Sequence, residues 1–250
     1  MRSPKPRNPL EKQKLSWNSI LTTVLLVVIA VVCVFTIVFN VIFMRFDVQG
    51  ISMQPTLNPT ALTEDSPLED KAYVNRFDKG TRGDIVVLFN PNAPDPQTGA
   101  YGIDIIKRII AVGGDKINIE SVPNSETGLN DYYVFLGING GPPQQLNENY
   151  ILTAGAPVPT NGNNNNANGM YTSYLNFIKL RAAGGEGFSV QPDGSLLIAP
   201  GYVFVMGDNR AHSDDSTHYG PFKVSSIVGA VSFWVPYNEN FWAYWWNRIF

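Results

Sequence analysis

No charged residue occurs between Lys14 and Arg45, and the 25 residues from Ile20 to Met44 are dominated by Val, Ile, Leu and Phe. As a helix this run would rise roughly 37 Å, more than a hydrocarbon core of about 30 Å, so it predicts a single membrane span with room for tilt. A buried core helix or strand is the competing reading, favoured by the many β-branched residues, but charge-free apolar runs of this length seldom have another use. The span accounts for a composition that is 44% apolar yet only 16% charged, where soluble domains carry roughly 25% charged residues.

The flanks set an orientation. Residues 1–19 carry Arg2, Lys5, Arg7, Lys12 and Lys14 against Glu11, a net of +4, which leaves −7 for the remainder of a chain whose net charge is −3. Positive flanks are retained in the cytoplasm, so the expected layout is a basic cytoplasmic tail over 1–19, a transmembrane helix over 20–44 and an exported domain over 45–250 on the outer face of a bacterial cytoplasmic membrane. A cleaved secretory signal fits poorly, because the run is longer than the roughly 7–15 residues of a signal core and the exit FMRFDVQG has no small-x-small cleavage site. Cys33, the one cysteine, lies inside the span, so the exported part contains no thiol to oxidise. One cysteine and two histidines argue against a disulfide framework and against Cys-clustered or all-His metal sites. The acidic balance argues against nucleic acid. No cofactor and no metal are expected, and the lipid bilayer is an expected partner.

The exported part reads as mainly β. GDIVVLF (83–89), IDIIKRIIAV (103–112), KINI (116–119), GYVFVMG (201–207) and SIVGAVSFWV (226–235) are short apolar runs bounded by Gly, Pro, Asp and Asn. They predict antiparallel sheets or a barrel-like domain, with a hairpin at Gly113-Gly114-Asp115. Between about 151 and 187 the Asn-rich stretch reads as a loop-rich surface insertion in which 171–183 could form a short helix. The aromatic run Phe241 to Trp246 is too short to span a bilayer and fits either the headgroup boundary or the core.

No P-loop, G-x-S-x-G elbow or H-E-x-x-H motif is present, and only His212 and His218 could serve a Ser-His-Asp triad. The informative oddity is Lys107. In strand alternation it shares a face with Ile103, Ile105, Ile109 and Ala111, while Arg108 faces the other way with Ile106 and Ile110. An edge-strand lysine that snorkels to water is the plain explanation. Taken alone, Ser52 in GISMQPTL is a loop serine like any other.

Together the pieces resemble bacterial type I signal peptidase, a membrane-anchored Ser/Lys endopeptidase family. Matching boxes follow the anchor in order: G-x-S-M-x-P-T-L at Gly50 to Leu57, R-G-D-I-V-V at Arg82 to Val87, I-K-R-I-I with a following G-G-D at Ile106 to Asp115, and M-G-D-N-R-x-x-S-x-D-S at Met206 to Ser216. The resemblance implies Ser52 as nucleophile and Lys107 as general base. It implies that Ser213 orients the lysine, that Asp208, Asn209, Arg210 and Asp215 brace the loop, and that the Ser52 N–H serves the oxyanion hole. The implied substrates are signal peptides of exported preproteins, seated as a strand near Gly50 and Ile105 with Met53 as a pocket wall.

Two departures stand out. Gly50 occupies the place where some members have a serine hydroxyl as second oxyanion donor. Thr217 replaces the arginine that usually pairs with the preceding aspartate, leaving Arg210, His218 or backbone N–H groups as partners for Asp215.

Ser/Lys chemistry needs a neutral amine beside the hydroxyl, since an ordinary lysine, with a pKa of about 10.4, is almost wholly protonated near neutrality. Desolvation on an apolar strand face lowers that value, by as much as roughly 3–5 units when burial is complete. A Ser/Lys protease of the self-cleaving repressor type and a non-catalytic anchored β-domain binding envelope partners are the alternative functions. The anchor with the S-M-x-P-T-L box speaks against the first, and the intact Ser52 and Lys107 against the second.

Overall fold

The computed structural model describes residues 17–59, 69–95, 98–125, 129–148, 150, 171–178 and 184–249. The chain divides into two compact units, 1–42 and 43–250. In the first, α1 (Trp17–Ile42) is long and apolar enough to cross a membrane and has no buried residue. Four of its polar side chains bond within the helix: the hydroxyls of Thr22, Thr23 and Thr36 and the amide of Asn40 each donate to the carbonyl four residues back at 2.8 Å. That back-bonding is what a span lacking water requires of its few polar groups.

Among the described residues of the second unit there are twelve strands: β1 (Phe43–Asp47), β2 (Lys71–Asn75), β3 (Ile85–Pro94), β4 (Tyr101–Val112), β5 (Lys116–Asn124), β6 (Leu129–Gly137), β7 (Gln144–Gln145), β8 (Phe188–Val190), β9 (Leu196–Ile198), β10 (Tyr202–Met206), β11 (Phe222–Lys223) and β12 (Ile227–Val235). They form a seven-stranded sheet, β1-β2-β12-β3-β4-β10-β11, and a five-stranded sheet, β7-β6-β5-β9-β8. Every pairing is antiparallel. The expected mainly β, antiparallel class with an N-terminal apolar helix is the observed one.

Two local expectations change. Gly113-Gly114-Asp115 does not close a hairpin, because β4 and β5 lie in different sheets and β5 pairs with β6 and β9. The turn is a crossing between sheets. Gly114 N–H donates to Ile198 O at 2.8 Å, and Ile198 N–H to Asp115 O at 2.9 Å. A Cβ at Gly113 would strike the backbone of Ala199 and Pro200. The buried Asp115 carboxylate accepts from Arg82 Nε at 2.5 Å and Nη2 at 2.9 Å, and from the N–H groups of Val112 and Asn139 at 3.0 Å each.

The second change is in β4, whose register against β10 slips between Phe204 and Val205. This bulge breaks strict alternation. Ile109 packs with Val86, Val205 and Ile227, while Ala111 joins Ile110 in the cluster of Ile117, Phe204 and Met206.

Part of the expected insertion is not surface. The helix at 171–178 buries Tyr174 and Phe177 in the cluster that also holds Ile119 and Phe188, whereas the Asn run lies outside the described residues. The C-terminal helix Phe241–Ile249 packs one side on the sheet and leaves another exposed. Trp245 and Phe241 pack on Phe233 with centroids 5.5 and 6.2 Å away, while Trp242 and Trp246 remain 75% and 65% exposed.

Candidate active site

Ser52 sits in the turn that follows β1, and that turn is held at both ends. Met53 and Leu57 are buried with Val48, Val74, Ile85 and Ile106. Asn58, in the left-handed region with φ of 52°, donates through Nδ2 to Val48 O at 2.5 Å and Gly50 O at 3.0 Å. It also exchanges bonds with Asp70: Asn58 N–H to Asp70 Oδ2 at 2.9 Å, and Asp70 N–H to Asn58 Oδ1 at 2.7 Å. Asn is among the few non-glycine residues that tolerate this conformation, and the buried amide closes the loop without a sheet partner.

Lys107 lies on β4 opposite Val86 and is only 4% exposed. Its Nζ is 2.8 Å from Ser52 Oγ and 3.0 Å from Ile106 O. The adjacent Val86, Ile105 and Ile109 belong to one apolar cluster. Strand β4 thus places an amine against a hydroxyl delivered by a loop 55 residues earlier in the chain.

The loop after β10 supplies the frame. Buried Asp208 accepts from Arg108 Nε at 2.8 Å and Nη2 at 2.6 Å, and from Thr56 Oγ1 at 2.5 Å. Asn209 N–H donates to Ser52 O at 3.0 Å and its Nδ2 to Ile51 O at 3.1 Å, so the backbone of the Ser52 loop is held from two points. Asp215 accepts from Gly207 N–H at 2.9 Å, Ser213 Oγ at 2.7 Å, and Thr217 N–H and Oγ1 at 3.0 and 2.9 Å. It caps the one-turn helix Ser216–Tyr219. Of the partners left open for Asp215 by the loss of the usual arginine, backbone N–H groups and hydroxyls are those that bond it; Thr217 itself contributes two.

Arg210 makes its hydrogen bonds to groups other than Asp215. Its Nε donates to Gly207 O at 3.0 Å and its Nη1 to Glu148 Oε2 at 2.8 Å, with Nη2 on Glu148 Oε1. Burial alone would lower the Arg210 value, but the Glu148 carboxylate outweighs it and holds the guanidinium above its ordinary pKa.

Of the residues expected at the site from sequence, Lys107, Ser52 and Asn209 are linked by hydrogen bonds, and Asp208 is tied to the Ser52 loop through Thr56; Ser213, expected to orient the lysine, donates its hydroxyl to Asp215, and those two brace the loop around Gly207. Gly50 is in the Ser52 loop with φ of 77°, Ile105 is partly buried on β4, and Met53 is 1% exposed, beneath the loop. Thr56, Arg108, Glu148 and Tyr150 were not singled out by role. Thr56 and Arg108 lie within quoted boxes, whereas Glu148 and Tyr150 stand in a polar stretch with no local signal. Among the described residues no three His, Cys, Asp or Glu side chains are grouped to hold a metal ion.

The sequence model of the family described as "Signal peptidase, peptidase S26" matches residues 20–236, most of the chain. The chain belongs to the signal peptidase family. A "Signal peptidase I" of Bacillus caldolyticus is 28% identical over 193 residues, covering 77% of this chain and 79% of the relative. A "Signal peptidase I P" of Bacillus subtilis subsp. natto is 30% identical over 193 residues, covering 75% of this chain and 74% of the relative. A crystal structure of a signal peptidase I from Enterococcus faecalis V583 aligns with a TM-score of 0.33 at 24% identity, covering 61% of this chain and 97% of that one. Membership of the signal peptidase family makes the chain a serine peptidase, a hydrolase, whose family activity is signal-peptide cleavage, and α1 is its candidate membrane anchor.

Proposed function

We propose that this chain cleaves signal peptides from exported preproteins with Ser52 as nucleophile and Lys107 as general base. The observation that supports this most strongly is the 2.8 Å approach of Lys107 Nζ to Ser52 Oγ at a lysine that is 4% exposed. Desolvation disfavours the ammonium, so the amine gives up its proton more readily than a solvated lysine would. The neutral amine takes the proton from Oγ as the oxygen attacks the scissile carbonyl. The Ser52 N–H stabilises the resulting oxyanion, to which Gly50 can add no hydroxyl. Collapse breaks the peptide bond, the ammonium returns its proton to the leaving amine, and an acyl-enzyme remains. Lys107 then deprotonates a water that attacks the ester, releasing the signal peptide's carboxylate and restoring Ser52.

The substrate seat follows from β4. Strand β10 pairs with β4 only from Arg108 to Val112, so among the described strands Tyr101 to Lys107 pair with β3 alone. An extended peptide added at this edge would arrive beside Lys107, with Gly50 and Ile105 flanking it and small side chains preferred near the cut. The domain begins at Phe43, directly after α1, and Ser52 follows ten residues of chain after the helix ends. With the basic tail inside, the site works on the outer face, where a signal peptide's own apolar segment ends. The exposed Trp242 and Trp246 suit the headgroup boundary there.

The test uses detergent-solubilised full chain and a preprotein, with the cut site read by mass spectrometry. Ser52→Ala and Lys107→Ala are each expected to abolish cleavage with the fold retained. Full activity in either variant contradicts the mechanism.

A further inference from the structure

We propose that Glu148, with Tyr150, is a positioning residue for the Ser52/Lys107 pair; this rests on the reading of those two residues as the reacting groups. Glu148 and Tyr150 belong to no signal peptidase box and lie some 60 residues before the loop they hold. Yet they engage both arginines that frame the site. Glu148 forms the two-pronged ion pair with Arg210, and both side chains are nearly buried, at 15% and 10% exposure. The Tyr150 hydroxyl donates to Glu148 Oε1 at 2.7 Å and lies 3.4 Å from Arg210 Nη2. The Tyr150 ring lies under Arg108, with the guanidinium carbon 4.0 Å from its centroid.

From there the contacts lead to the reacting atoms in two short chains. Arg210 Nε bonds Gly207 O, and two residues on, Asn209 N–H bonds Ser52 O at 3.0 Å. Arg108 bonds Asp208, which is tied to Thr56 of the nucleophile loop, and Arg108 is the next residue after Lys107 on β4. One short strap thus grips the loop that holds the nucleophile and the strand that carries the base. A near-buried arginine deprived of its carboxylate would leave donors unpaired and reorient toward water, taking the Gly207 carbonyl contact with it. Misplacement of reacting groups by about 1 Å can cost on the order of a hundredfold in rate. Burial, the largest influence on Tyr150, keeps its phenol protonated as a donor to Glu148.

The experiment compares full-length Glu148→Gln and Tyr150→Phe with the parent on a preprotein in detergent. A peptidyl acylating probe counts the reactive serines and times their labelling, at a temperature well below each Tm. The expected result for Glu148→Gln is a kcat lower by about tenfold or more, with KM within about twofold. The probe should still label the full complement of Ser52, only more slowly. Tyr150→Phe should shift kcat and labelling in the same direction by a smaller factor. A purely structural role would reduce the number of reactive serines at unchanged labelling rate, and that result overturns the inference. Unchanged kcat in folded Glu148→Gln overturns it too; if that variant does not fold, unchanged kcat in Tyr150→Phe does so. Ser52→Ala and Lys107→Ala run alongside separate the two readings. If both are inactive while Glu148→Gln has full kcat, the positioning role falls and the dyad stands; if either is active, the dyad reading fails.

Discussion

A Cβ at position 207 would collide with both the Ser213 hydroxyl and the Ser52 carbonyl oxygen. Gly207 lies between the base of β10 and Asp208, and its N–H donates to Asp215, so neither neighbour can withdraw without breaking the frame. Gly207→Ala is therefore expected to lower kcat/KM about a hundredfold. The same change should cost about 1–3 kcal/mol of stability, measured by preprotein cleavage beside thermal melts. A variant with parental kcat/KM would show that the loop has room the structure denies it. At this scale the meeting of Lys107 with Ser52 was legible because Lys107 is a chemical anomaly on an apolar strand and Ser52 falls in an ordered box. The means by which Asp215 is satisfied was not legible, because accepting from Thr217 N–H depends on a capping geometry that sequence spacing leaves open. Glu148 and Tyr150 escaped notice for a different reason: an ion pair across about 60 residues has no periodicity to betray it.

The turn between β4 and β5 carries its own electrostatic lock at Asp115. Burial by itself would raise the Asp115 pKa, but the bonds from Arg82 and from the N–H groups of Val112 and Asn139, with the Arg82 charge, bring it below the ordinary carboxylate range. A depressed folded value means that the ionised carboxylate contributes stability above its unfolded pKa of about 3.9. That contribution is lost as pH falls through the lower folded value. Asp115→Asn is expected to cost about 2–3 kcal/mol at neutral pH, because Arg82 and two N–H groups lose a charged acceptor while Arg82 stays partly solvated. Melting curves between pH 7 and pH 2 should show the parent losing its advantage over Asp115→Asn below about pH 4. A constant difference down to pH 2 would contradict the lock. The same turn shows how far elements could be read from sequence. The apolar runs behind β3, β4, β10 and β12 were legible as strands, and so was the start of β5. Which sheet each joined was not, since a Gly-Gly-Asp turn serves a hairpin and a crossing equally well until Ile198 is known to lie beside it. Strands β7 and β11, of two residues each, and β8 and β9, of three, are too short to carry an alternation.

Among the described residues the three apolar clusters all lie within 43–250, and α1 has no buried residue. A chain starting at Phe43 is accordingly expected to fold with a Tm within a few degrees of the parent and to cleave a soluble peptide substrate as well as the parent does. Its residual attachment to vesicles should depend on the outward tryptophans of the C-terminal helix. Trp242→Ser with Trp246→Ser should weaken vesicle binding by about tenfold or more, measured by flotation. Undiminished binding would assign those rings another role. The long apolar helix α1 was the most legible feature of the whole molecule, because a charge-free run of that length stands out against any soluble domain.

The central claim, that a buried amine at residue 107 activates the hydroxyl at residue 52, is tested most directly by kcat/KM for preprotein cleavage against pH. A rising limb well below the ordinary lysine value of about 10.4, absent together with the activity in Lys107→Ala, is the predicted result. A limb near pH 10, or a profile unchanged by loss of the lysine, would contradict the account.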